Sequence, residues 1–139
     1  MTAPLTSIPT WILSSAAGRS HQIIQKRLAQ AGFTGYEYRC LSALAAAEPL
    51  SQTDLGVAAA LDPRDVTHTV RALEERSLVS RTKDPGHGRR QLVSLTTQGA
   101  QAAERLVGVM NEIQAAVFGQ LSNTERFTLL NLLDRLGRD

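Results

Sequence analysis

Six apolar positions, Ala103, Leu106, Met110, Ile113, Val117 and Leu121, recur along this chain at steps of three and four, the spacing of one helical face. A helix that starts at Thr96 or Thr97 and carries that face extends about 35 Å, at ~1.5 Å per residue. Val66, Val70 and Leu73 repeat the pattern at i, i+4 and i+7 in a shorter helix over about 62–76. Near the C-terminus, Phe127, Leu129, Leu130, Leu132, Leu133 and Leu136 crowd into ten residues, a stripe wider than one core-facing side needs. Residues 78–82 and 91–95 break the helical rhythm. They are short and β-prone, and Asp84, Pro85, Gly86 and Gly88 lie between them, which predicts a hairpin.

Helix boundaries are marked by residue type. A capping box pairs an N-cap hydroxyl or carboxylate with an acidic residue three positions on, so that each side chain satisfies an orphan backbone N–H. The pattern occurs at Thr34/Glu37, Ser51/Asp54, Asp62/Asp65 and Ser122/Glu125. Apolar pairs staple three of these starts: Phe33/Tyr38, Leu50/Leu55 and Leu61/Val66. Gly32 ends a first helix over about 10–31, and Pro49 ends a second after Ala47, because the residue before a proline resists helical geometry. A third helix is short, about 52–59. The fourth has Asp62 as cap and Pro63 at its first position, where a missing N–H costs nothing. The predicted fold is mainly α with a small β-hairpin: helix, helix, short helix, helix, hairpin, long helix, leucine-rich helix. A short helix, a tight link at Leu61, a capped helix and a hairpin make a winged helix-turn-helix within a single domain over 1–139, with its core at about 34–95.

Composition adds bounds. The hydrophobic share of 42% and charged share of 20% are ordinary for a soluble globular domain. No apolar run approaches the roughly 18–20 residues that span a bilayer, and the N-terminus lacks the basic region of a secretion signal. The single cysteine, Cys40, cannot form an intramolecular disulfide, so a cytoplasmic location is expected. Net charge is only +2, but residues 76–91 hold Arg76, Arg81, Lys83, Arg89 and Arg90 against Asp84 alone. On charge alone, that window fits a polyanion site or a solvated turn equally well.

In a helix-turn-helix the second helix enters the DNA major groove. Opposite its core stripe, the fourth helix here presents Arg64, Asp65, Thr67, His68 and Arg71. Arginine can bridge guanine O6 and N7, and threonine can bond a base or touch a thymine methyl. Arg89 and Arg90, placed by the sequence on the turn of the hairpin, can reach a minor groove, where narrow A·T-rich segments concentrate negative potential. Ser51 and Gln52, at the start of the short helix, and Lys83 complete the expected DNA-facing set.

Residues 50–99, "LSQTDLGVAAALDPRDVTHTVRALEERSLVSRTKDPGHGRRQLVSLTTQG", resemble the DNA-binding core of the MarR family of bacterial transcription regulators, most specifically in "LEERSLVSR" and "RRQLVSLT". The preceding "GFTGYEYRCLSAL" resembles that family's approach to its second helix, and the flanking helices match in length and order. The resemblance implies duplex DNA, a palindromic operator, as partner, with helix four as recognition helix and Arg90 as the wing-tip arginine. It implies a homodimer built by helices at about 10–31 and 97–137, and release from DNA by a small aromatic ligand. Trp11, Tyr36 and Tyr38, among the few aromatics of a chain with 4%, are candidates for the ligand pocket, or simply pack the core. Three departures stand out. Gly88 replaces the aspartate that braces the wing arginine, which predicts a looser wing. Ser77 replaces a helix-closing glycine, and His68 an arginine of the recognition helix.

Other functions have less support. His21, His68 and His87 fall on separate elements, with neither an HExxH pattern nor clustered carboxylates, so no catalytic or metal site is expected and no cofactor is called for. Gly86 and Gly88 lie inside a hairpin, not in a phosphate loop. Glu74 and Glu75 are expected to face water. Two alternatives are a winged-helix module that binds an acidic protein, and a regulator that senses oxidants through Cys40. Core packing is the plainer role for a cysteine in mid-helix.

Overall fold

The computed structural model describes residues 4–138. In chain order, a 3-10 turn at Leu5–Ser7 precedes α1 (Pro9–Gln30), α2 (Gly35–Ala46), β1 (Leu50–Ser51), α3 (Gln52–Ala58), α4 (Pro63–Glu75), β2 (Val79–Asp84), β3 (His87–Leu95), α5 (Thr97–Phe118) and α6 (Asn123–Leu133). Two compact units divide these elements. One is Ile24–Val109; the other joins the residues up to 23 to those from 110 onward.

Each of the four expected caps forms, but not equally. Thr34 and Ser122 each accept a bond from the backbone N–H three residues on, and Glu37 and Glu125 reach back to the cap N–H, closing both boxes. Ser51 and Asp62 accept from the N–H of Asp54 and Asp65, yet neither aspartate returns the bond. One methylene fewer shortens the return reach, and the carboxylate of Asp54 is engaged elsewhere.

Three helices stop by the same device, a left-handed residue followed by an N–H that reaches back five positions. Gly32 has φ 92°, and Phe33 N–H bonds the Leu28 carbonyl at 2.9 Å. Ala60 has φ 56°, with Leu61 N–H on the Gly56 carbonyl at 2.9 Å. Ser77 has φ 60°, with Leu78 N–H on the Leu73 carbonyl at 3.0 Å. The absence of glycine at position 77 therefore changes the strain of that cap and leaves its geometry in place. Thr96 locks the same corner: its hydroxyl donates to the Ser77 carbonyl at 2.6 Å and accepts from Gly99 N–H at 3.0 Å, so Thr96 is the cap of α5. Gly99 is required there, because a Cβ would collide with the Leu78 carbonyl oxygen.

The expected hairpin is part of a three-stranded antiparallel sheet in the order β1-β3-β2. β1 pairs Leu50 with Val93 and Ser51 with Leu92. A two-residue strand shows no alternation, so this edge left no mark in the hydrophobic pattern. The turn is also shorter than expected. Strands reach Asp84 and resume at His87, leaving Pro85 and Gly86 between them. Register then slips: Asp84 pairs with His87 but Lys83 with Gln91, so Gly88, Arg89 and Arg90 bulge without partners. The two arginines therefore belong to a bulge in β3 and not to the turn itself.

In the Ile24–Val109 unit, Leu41, Leu44, Leu55, Val70, Leu73, Val93 and Leu106 are essentially inaccessible and form the core. The other unit is different. Among its described residues Ile113 alone is buried, while Leu5, Trp11, Ile12, Phe127, Leu130, Leu132, Leu133 and Leu136 are exposed. Of the α5 face, Ala103, Leu106 and Ile113 are buried and Met110 and Val117 half-buried; Leu121 lies past the helix end and is exposed. α6 stops at Leu133, so Leu136 lies beyond it in a turn that includes Gly137 at φ 70°.

Candidate nucleic-acid interface

Every residue expected to face DNA lies in the Ile24–Val109 unit. On α4 the residues Val66, Thr69, Val70 and Leu73 are buried, and this fixes which face is free. Arg64, His68 and Arg71 are exposed on that face, with Asp65 and Thr67 half-exposed beside them. The Thr67 hydroxyl donates to the Pro63 carbonyl at 2.7 Å and accepts from the Gln52 side-chain amide at 2.8 Å. Gln52 thus ties the first turn of α3 to that of α4. An apolar cleft of about 190 Å³, lined by Gly56, Val57, Leu61 and Val66, runs beneath the pair.

The charges of residues 76–91 are mostly neutralised by carboxylates from elsewhere in the sequence. Arg76 pairs with the buried Glu37 at 2.9 Å and stacks over Phe33, 4.6 Å from its centroid. Arg81 grips Glu74 with two bonds, at 2.8 and 3.2 Å. Those bonds hold the Glu74 carboxyl below its ordinary pKa of 4.5 and raise that of Arg81. Glu74 therefore does not simply face water, as its place at the helix end suggested. Arg90 places Nη2 2.8 Å from Asp54 Oδ2 and 3.0 Å from Ser51 Oγ. Lys83 and Arg89 are exposed and, among the described residues, make no salt bridge, nor do Arg64 and Arg71.

Ser51 is the site residue whose surroundings differ most from expectation. It is only 2% exposed, and its hydroxyl caps α3 while receiving Arg90. Its contribution to the face is through Arg90. Asp54, which sequence reasoning assigned to the cap alone, is the residue it missed. The signal was available in the Ser51/Asp54 box, where an aspartate too short to close the box is free for another partner. Gly88 offers Arg90 no carboxylate, and the acceptors that Arg90 finds are Asp54 and Ser51.

Two hollows flank Arg90. Ser51, Gln52, Thr53, Arg81, Arg89 and Gln91 line one of about 270 Å³, and Thr53, Asp54, His87 and Arg89 the other, about 410 Å³. The aromatic trio is less coherent. Tyr38 lines a groove of about 510 Å³ with Arg39, Ser42, Ala43 and Leu50. Tyr36 is 45% exposed beneath the Arg39 guanidinium, 5.6 Å from its centroid. Trp11 belongs to the other unit and is 47% exposed.

Cys40 is fully buried, and burial pushes its thiol up to about 11. A redox sensor needs an accessible thiolate, so this cysteine has the properties of a core residue and not of a sensor. Among the described residues, no three His, Cys, Asp or Glu side chains gather as a metal site, and no helix is long and apolar enough to cross a membrane.

Comparisons with known proteins agree with this layout. A MarR family profile matches residues 31–90, from the end of α1 to the Arg90 bulge. The transcriptional repressor NicR of Pseudomonas putida is 30% identical over 125 residues, which cover 90% of this chain and 79% of NicR. A probable transcriptional regulator from Pseudomonas aeruginosa superposes with a TM-score of 0.83 at 32% identity, over 96% of this chain and 99% of its own. Bordetella bronchiseptica BpsR, whose DNA binding is regulated by 6-hydroxynicotinic acid, superposes with a TM-score of 0.84 at 26% identity over the full length of both chains.

Proposed function

This chain is a member of the MarR family of DNA-binding transcription regulators, and from that premise we propose that it is a homodimeric repressor of a palindromic operator, released by a small aromatic ligand. The observation that carries the DNA-facing part is a set of exposed cations, Arg64, Arg71, Lys83 and Arg89, that form no salt bridge among the described residues. Four such arginines and lysines, two on the open side of α4 and two on the hairpin, suit a polyanion. Arg64 and Arg71, exposed on α4, suit major-groove edges, with His68 and Asp65 beside them, and Lys83 and Arg89 suit phosphates. Thr67, with its hydroxyl bonded to Pro63 and Gln52, offers chiefly its methyl.

Repression is supported by the likeness to NicR, and aromatic release by the likeness to BpsR. The dimer is supported by the apolar surface of the smaller unit, where α6 and the N-terminal helix expose leucines, an isoleucine, a tryptophan and a phenylalanine. Of the three aromatic candidates, Tyr38 has the strongest support, since it lines a concave groove.

Selecting bound fragments from genomic DNA with the purified protein tests the reading. An inverted repeat should emerge, and small aromatic acids should release it while raising the protein's melting temperature. Arg64→Ala or Arg71→Ala should relax preference at particular operator positions, by ~1–3 kcal/mol for each lost bidentate contact. Recovery of fragments with no shared sequence would overturn it. An acidic protein partner instead of DNA would give no enrichment at all.

A further inference from the structure

We infer that Asp54 is a positioning residue for DNA recognition: from α3 it fixes the orientation of the Arg90 guanidinium on the wing, which Gly88 is unable to do. The inference rests on the reading of α4 and the wing as a DNA interface. Arg90 lies in the bulge of β3, where no cross-strand partner constrains it. Two acceptors outside the hairpin hold it instead, Ser51 at the end of β1 and Asp54 in α3. Asp54 Oδ2 is at 2.8 Å and Ser51 Oγ at 3.0 Å, and both receive bonds from the same nitrogen, Nη2.

Two acceptors on one nitrogen define the plane of the guanidinium, since the group is rigid and presents five N–H donors in a fixed fork. Both Nη2 protons are committed to Ser51 and Asp54. The Nη1 and Nε protons are left, on a side chain still 44% exposed that lines both hollows. Arg90 is therefore aimed and remains available. The acceptors are themselves held. Ser51 is buried and paired with β3, and its hydroxyl caps α3 through Asp54 N–H, so the brace is anchored to the sheet and to the helix-turn-helix together. Asp54 differs from Glu37 and Glu125 in this respect: those two return a bond to their cap N–H, whereas Asp54 gives its carboxylate to the wing.

A bare charge argument predicts the opposite result from a positioning argument. A carboxylate among phosphate-facing cations repels DNA, so its removal should tighten binding to every sequence. A brace lowers the cost of ordering a long side chain at one site, so its removal should weaken binding where that orientation is used. Asp54→Asn separates the two. The backbone N–H that Ser51 caps is unchanged, so α3 keeps its start.

The test compares wild type, Asp54→Asn, Arg90→Ala and the double variant on a selected operator and on a scrambled duplex of the same composition. Anisotropy gives both affinities, and circular dichroism confirms the fold. In Asp54→Asn the ratio of operator to scrambled affinity should fall about three- to tenfold, while scrambled binding stays the same or tightens. With Arg90 already replaced by Ala, Asp54→Asn should cause no further loss in that ratio. A uniform gain on both duplexes, or an unchanged ratio, would overturn the positioning role and leave the functional reading intact. A wild-type protein that does not prefer its selected operator over the scrambled duplex would overturn both.

Discussion

Ser77 and Ala60 are non-glycine residues held at φ 60° and 56°, in the region that crowds Cβ against the backbone and costs roughly 1–2 kcal/mol for an L-residue. Each is kept there by the bond that closes its helix, which also directs the chain into the next element: α4 into β2, and α3 into α4. Replacing Ser77 by Gly relieves that crowding but raises the conformational entropy of the unfolded chain, which offsets part of the gain. Urea denaturation should show a net gain of about 0.5–1 kcal/mol. No gain would mean that the Ser77 side chain contributes a compensating contact. At this scale much of the fold was legible. The caps at Thr34, Ser51, Asp62 and Ser122 could be named because capping is a local chemistry of three or four residues. The close approach of Gly99 to Leu78 was not legible, because it joins two segments 21 positions apart and nothing in the composition of either announces it.

Elements are tied together by side chains that sequence adjacency does not relate. The Glu74–Arg81 pair joins the end of α4 to β2, and the Gln52–Thr67 bond joins α3 to α4. Glu74 has a folded-state pKa below 4.5, so it contributes stability at pH values above 4.5 that is lost as pH falls through the lowered folded value. Its side chain is 38% exposed, so the contribution at neutral pH is less than about 1 kcal/mol. Glu74→Gln should accordingly lose a little stability at pH 7 and decline less steeply than wild type on acidification from pH 5 to 3. Thermal melts across that range measure it; parallel curves would mean that the pair is solvent-screened to nothing. The helices were legible because an amphipathic helix repeats its signal over many residues. β1 has two residues and no repeat. The β3 bulge depends on pairing register, which a hairpin's sequence leaves open when both strands approach the turn with polar residues.

For the molecule as a whole, the smaller unit poses a problem of burial. A side chain such as Leu133 or Leu136 is worth roughly 1.5–3 kcal/mol when taken fully out of water, and here both are exposed beside Phe127, Leu130 and Leu132. In the proposed dimer that surface is covered, and the joint variant Leu133→Asp, Leu136→Asp should sediment as monomer or aggregate. A folded dimer that still binds its operator would place the interface elsewhere. Net charge, the other global quantity, misled when summed along the chain. The window 76–91 is strongly basic on paper, yet Glu37, Glu74 and Asp54 neutralise Arg76, Arg81 and Arg90 across the fold. For DNA, the cations that matter are those able to displace condensed counterions. Arg64, Arg71, Lys83 and Arg89 in each protomer would give the proposed dimer about eight, and thus a slope of log K against log salt of roughly −7. Sodium, in effect, would compete with DNA for the face that the ion pairs leave open. A regulator of this build would then hold its operator or let it go over a narrow span of ionic strength, before any ligand is added.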